Sequence, residues 1–99
     1  MSPSALDSDR LAEFCRRWKV TELALFGSAA RGDLRADSDI DLLVTFEPGA
    51  PWSLWDLSRM RWELETIWGR EVDLVEKVGL RNPIRRRSIL SDQRVIYAA

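Results

Sequence analysis

LFGSAARGDLRADSDIDLLVTF, residues 25–46, places the first constraint on the fold. An apolar run stops at Gly27-Ser28, the chain turns through a polar segment, and it returns with Asp39 and Asp41 alternating with Ile40 and Leu42. Leu23, Ala24, Leu25 and Phe26 are continuously apolar, as in a strand buried on both faces, so residues 20–26 are predicted to be a strand. Residues 39–46 are predicted to be a second strand, ended by Glu47-Pro48-Gly49. Side chains two apart in a strand share a face, so Asp39 and Asp41 project together with Cα atoms ~6.5–7 Å apart. Ile40 and Leu42 then point the other way, into the core. Two carboxylates held side by side repel, and neither has an arginine on its own strand. A divalent cation relieves such a pair, and hard oxygen donors favour Mg²⁺ or Mn²⁺. In two-metal phosphoryl chemistry the ions sit ~3.5–4 Å apart, within reach of carboxylates one strand repeat apart.

The Gly-Ser corner gives that pair a context. It follows a buried strand and precedes a short helical turn expected over 28–32, so backbone N–H groups there can face an anion. Gly27 allows a phosphate close to the backbone, Ser28 can donate to a phosphate oxygen, and Arg31 can pair with a phosphate or a neighbouring carboxylate. A phosphate cradle beside a metal-binding carboxylate pair suits a nucleoside triphosphate. Asp73, in REVDLVE, lies between Val72 and Leu74 on an expected third strand over 71–76. If that strand neighbours the second, Asp73 completes a triad with Asp39 and Asp41. A solvated face is the simpler reading of any one of these acids. A calcium loop beginning at Asp37 is rejected, because its sixth and twelfth positions are Leu42 and Pro48 instead of glycine and glutamate.

Outside this stretch, residues 1–7 read as a flexible leader. Leu11, Phe14, Cys15 and Trp18 recur at helical spacing, predicting a helix over 9–19 capped by Ser8. Leu57, Met60, Leu64 and Ile67 form the apolar stripe of a long helix over 51–68, stopped by Gly69. A last helix runs from Asn82-Pro83 to about Leu90, and residues 95–97 are expected as a fourth strand. This order predicts an α/β fold: one domain over 1–99 with a small mixed β-sheet flanked by helices. The rings of Trp52, Trp55 and Trp62 are expected in the core, a partner-binding surface being the alternative. The Arg85-Arg86-Arg87 run is expected as a solvated helix end, the alternative being contact with an acidic partner or the triphosphate.

Composition narrows the chemistry. The chain has 99 residues, no histidine, and a net charge of −1. The commonest general base and zinc ligand are therefore missing, and no overall field favours nucleic acid or membrane. The single cysteine, Cys15, reads as packing and fits a reducing compartment. No apolar run reaches the ~20 residues of a membrane span. A cytoplasmic protein is expected, with nucleic acid and membrane not among its partners.

GSAARG followed by SDIDLLV resembles the signature of the DNA polymerase β-like nucleotidyltransferase superfamily. The short length and the ending RRSILSDQRVIYA resemble its minimal branch, the MNT-domain antitoxins encoded beside HEPN-domain toxins. The resemblance spans about residues 11–97. It implies that Gly27 and Ser28 hold the triphosphate with Arg31 in support, and that Asp39, Asp41 and Asp73 ligate Mg²⁺ or Mn²⁺. Asp73 would also help activate the attacking hydroxyl. It implies transfer of AMP from ATP to a hydroxyl, that of a tyrosine, on a cognate HEPN ribonuclease toxin, with release of pyrophosphate and silencing of the toxin. The alternative is an antitoxin that neutralises its toxin by direct binding with little or no catalysis.

Overall fold

The computed structural model describes residues 8–27, Ala30 and residues 39–99. Ser28, Arg31, the leader over 1–7 and nearly all of the turn expected over 28–32 lie outside the described residues. Helix α1 (Ser8–Arg17) leads into strand β1 (Val20–Phe26), and strand β2 (Ile40–Phe46) is followed by the long helix α2 (Leu54–Trp68). Strand β3 (Val72–Glu76), a 3₁₀ turn (Lys77–Gly79), helix α3 (Pro83–Asp92) and strand β4 (Arg94–Ala98) complete the order. Among the described residues the strands form one sheet in the order β3-β2-β1-β4. β1 pairs antiparallel with both β2 and β4, and β2 pairs parallel with β3. The sheet is mixed, as expected. The parallel pair follows from α2, which carries the chain back across the sheet between the two strands.

The sheet is covered on both faces. One face carries Leu23, Leu25, Ile40, Leu42, Val44 and Val72, packed against Leu11, Phe14, Met60 and Leu64 of α1 and α2. The other carries Ala24, Phe26 and Leu43 against Leu80 and Ile89. β1 is thus buried on both sides, which its unbroken apolar run required.

Local chemistry sets the helix ends. α1 stops at Arg17 instead of running to 19, because Lys19 adopts a left-handed φ of 57° and reverses the chain. The Lys19 carbonyl then accepts from Glu47 N (2.8 Å), and the Trp18 carbonyl accepts from Trp52 Nε1 (2.7 Å). The Trp18 and Trp52 rings meet edge-on, with centroids 4.9 Å apart. α2 begins at Leu54 rather than 51. Ser53 caps it, Asp56 N donating to Ser53 Oγ while Asp56 Oδ2 accepts from Ser53 N, a reciprocal box that fixes the start. Gly69 closes α2 at φ 66°, as its position in the sequence suggested. Asn82 caps α3, its Oδ1 accepting from Ile84 N and Arg85 N. β1 has the bounds expected, β2 and β3 each start one residue later than expected, and β4 extends one residue further at each end.

Two expectations about side chains are corrected. Trp55 and Trp62 do not enter the core; they are 82% and 70% exposed, whereas Trp18 and Trp68 are buried and Trp52 is half-buried. The Arg85-Arg86-Arg87 run falls at the N-terminal end of α3, but it is not solvated throughout. Arg86 turns inward and donates from Nη1 to the carbonyls of Lys77 and Leu80 (3.4 Å each), leaving Arg85 and Arg87 exposed.

Cys15 packs as expected, at 0% exposure. Burial pushes its thiol from an ordinary 9.0 up to about 12, against a smaller opposing pull from Arg16. The neutral thiol is therefore part of the folded state. In the unfolded chain it ionises near 9.0, whereas the folded chain keeps its proton until about 12, so this contribution to stability is complete below pH 9 and declines as pH rises from 9 towards 12. Titration of the native protein with a disulfide reagent at pH 8 should leave Cys15 unmodified, with rapid modification once denaturant is added. Native-state labelling at the rate of a free thiol would contradict its burial.

Candidate active site

The site begins where β1 ends. Gly27 turns the chain at φ 63°, in the left-handed region that favours glycine. A Cβ placed there would lie 2.5 Å from Asp41 Oδ2. The missing side chain is therefore the space that the Asp41 carboxylate uses. Phe26, just before Gly27, is the register partner of Asp41 across the β1–β2 ladder, and Asp41 is in turn the partner of Asp73 across the parallel β2–β3 ladder. Register partners share a face. The Gly27 turn at the end of β1, Asp41 on β2 and Asp73 on β3 thus lie in one row. Asp39 precedes β2 by one residue and is exposed; Asp41 is half-buried and Asp73 exposed. The condition attached to Asp73 in the sequence, that its strand should neighbour the second, is met.

The row lies on the sheet face that carries Phe26 and Leu43, away from the face packed by α1 and α2. Ile40 and Leu42, fully buried on the opposite face, fix β2 in depth and rotation, so the alternation in SDIDLLV holds the aspartates outward. Ile40 N also donates to the Glu71 carbonyl (2.9 Å), which locks the start of β2 to the start of β3.

A cleft of about 350 Å³ opens beside this row at the β3 edge, lined by Asp39, Arg61, Glu65, Glu71, Val72 and Asp73. Glu65 Oε2 accepts from Val72 N (3.0 Å), tying the flank of α2 to the first residue of β3. Sequence reasoning missed Arg61 and Glu65. Their one signal was a four-residue spacing, which places both on the same flank of a helix.

Hard oxygen donors on neighbouring strands are the chemistry a divalent cation takes. Asp39, Asp41 and Asp73 fit such an ion by type and by strand placement. Among the described residues no three acidic or cysteine side chains are already gathered round one metal position. Of the expected phosphate cradle, Gly27 is in place at the strand end; Ser28 and Arg31 lie outside the described residues.

A turn at the end of a buried strand, with carboxylates in register on the next two strands, is the arrangement the sequence led one to expect of a nucleotidyltransferase fold. The nucleotidyltransferase domain family matches residues 9–97, and the chain belongs to it. It is 40% identical over 74 residues to the protein adenylyltransferase MntA of Thermococcus cleftensis, covering 75% of this chain and 73% of that one. Among solved structures, a candidate minimal nucleotidyltransferase superposes with a TM-score of 0.74 at 38% identity, covering 95% of each chain. An MNT antitoxin in complex with a tri-AMPylated HEPN toxin from Shewanella oneidensis shares the fold, with a TM-score of 0.68 at 16% identity, covering 97% of this chain and 73% of that one. The chain is therefore a minimal member of the nucleotidyltransferase family, similar to protein adenylyltransferases. Among the described residues no helix is long and apolar enough to cross a membrane.

Proposed function

We propose that this chain is the antitoxin of a HEPN/MNT pair, and that it transfers AMP from ATP to a tyrosine hydroxyl of its cognate HEPN toxin in the cytoplasm. The observation that carries the reading is the row formed by the Gly27 turn at the end of β1, Asp41 on β2 and Asp73 on β3, with Asp39 beside it. The name of the Thermococcus relative and the AMPylated toxin of the Shewanella complex support this acceptor class.

Each residue has a part in the proposed reaction. Gly27 leaves room for phosphate beside the backbone, Ser28 donates to a phosphate oxygen, and Arg31 adds positive charge. Asp39 and Asp41, with Asp73, would hold Mg²⁺ or Mn²⁺. A bound divalent cation supplies charge against the α-phosphate and the departing pyrophosphate. Asp73 takes the proton of the acceptor hydroxyl. The hydroxyl oxygen then bonds to the α-phosphorus as the bond from that phosphorus to the oxygen bridging it to the β-phosphate breaks, releasing pyrophosphate. No histidine is needed, and the chain has none.

The second reading is neutralisation by binding, with little or no catalysis. It is favoured by one observation, the exposure of Trp55 and Trp62 on α2. Intact-mass spectrometry of the HEPN protein encoded beside this chain separates the two. The toxin is incubated with ATP, Mg²⁺ and either the wild type or the Asp39→Ala/Asp41→Ala variant. Transfer predicts a gain of AMP-sized mass with the wild type alone. No gain, with toxicity still suppressed by the double variant, would leave the binding antitoxin.

A further inference from the structure

We infer that Arg61 engages the acceptor protein, pairing its guanidinium with an oxygen of the acceptor chain beside the hydroxyl that receives the nucleotide. The inference rests on the transfer reading above and specifies its second substrate subsite.

The strand order sets a direction across the site. Gly27 closes β1, Asp41 is on β2, Asp73 is on β3, and the cleft lined by Arg61 lies beyond them at the sheet edge. Adjacent strands are ~4.8 Å apart, so the far side of β3 is roughly 10 Å or more from the turn at Gly27. In-line displacement puts the attacking and leaving oxygens on opposite sides of the phosphorus. With the departing phosphates held at the Gly27 turn, the attacking hydroxyl arrives from the Asp73 side. Arg61 stands on that side.

Arg61 is equipped for a contact it does not yet make. Among the described residues it is the one cation lining the cleft, beside Asp39, Glu65, Glu71 and Asp73. Among the described residues it makes no hydrogen bond or ion pair. Its helical neighbour Glu65 is engaged at Val72 N, which holds this flank of α2 against β3, and Arg61 lines the cleft together with Asp73. A guanidinium offers a planar fork of donors to a carbonyl or carboxylate oxygen. Exposed and unpaired, it contributes little to the fold.

The test is steady-state transfer onto the cognate HEPN toxin by the full chain, varying toxin and ATP separately for the wild type, Arg61→Ala and Arg61→Lys. The expected result for Arg61→Ala is a KM for toxin raised about ten-fold or more, the scale of a lost charge-assisted hydrogen bond. The KM for ATP and the melting temperature should not change, and Arg61→Lys should recover part of the loss. An unchanged KM for toxin, or a rise in the KM for ATP instead, would overturn the inference and leave the transfer reading intact. Wild-type protein that transfers nothing to the toxin would overturn both.

Discussion

Replacing Asp41 by asparagine should slow nucleotide transfer by about 10³-fold or more, roughly 4 kcal/mol of transition-state stabilisation, and leave the fold intact. Asp41 occupies the middle of the row, partnered in register with Phe26 on one side and Asp73 on the other. It is the half-buried member of the carboxylate set, so its charge acts in a lower dielectric than that of Asp39 or Asp73. Asparagine has the same shape and keeps the backbone ladder, but its neutral amide neither offsets a cation nor anchors one with comparable strength. The fold depends on Ile40 and Leu42, which face the other way and are fully buried. Far-UV circular dichroism and melting of the variant should therefore match the wild type, while the transferred mass on the toxin disappears. A variant within ten-fold of the wild-type rate would mean that Asp41 is not in the reacting shell. Chelation of divalent cations should reproduce the loss in the wild type, and excess Mg²⁺ should restore that activity but not the variant's.

The alternation SDIDLLV was sufficient to orient β2, because any other rotation buries two carboxylates and exposes two aliphatic side chains. Val72 and Leu74 did the same for β3, and the long helix between the strands favoured a parallel pair. Nothing in RVIYA, by contrast, places β4 beside β1 rather than β3, since a short edge strand pairs wherever a ladder is open. The outward position of Trp55 and Trp62 is legible in the sequence. Each lies two residues before or after a member of the Leu57/Met60/Leu64 stripe, and two residues turn a helix by roughly 200°, to the opposite side. The start of α2 was also written in the sequence, as Ser53 followed by Asp56. Arg61 was legible only as a residue of the α2 flank. Its place beside Asp73 depends on how α2 packs on β3, through the Glu65–Val72 bond, and that is a tertiary contact with no local signal.

Gly27→Ala should cost more in activity than in stability, and a comparison with Gly49→Ala isolates the reason. Both glycines have left-handed backbones, with φ of 63° and 81°. Alanine at either position carries the same kind of backbone strain, about 1 kcal/mol, which lowers the melting temperature by roughly 4–8 °C in a domain of this size. Their surroundings differ. A Cβ at Gly49 meets nothing within 4 Å, whereas a Cβ at Gly27 meets Asp41 Oδ2 at 2.5 Å. That oxygen ends a short side chain that can rotate, so the clash is relieved by swinging the carboxylate aside rather than by moving the sheet. The displaced atom, however, belongs to the proposed metal-binding set, and a shift of about 1 Å at such a group costs on the order of 10²-fold in rate. The two variants should therefore melt within a few degrees of each other, while Gly27→Ala transfers about 10²-fold more slowly and Gly49→Ala transfers at the wild-type rate. Equal losses of activity would assign the effect to backbone strain. Full activity in Gly27→Ala would show that the Asp41 carboxylate does not need the space beside the turn, and would remove the structural link between the Gly-Ser corner and the aspartates.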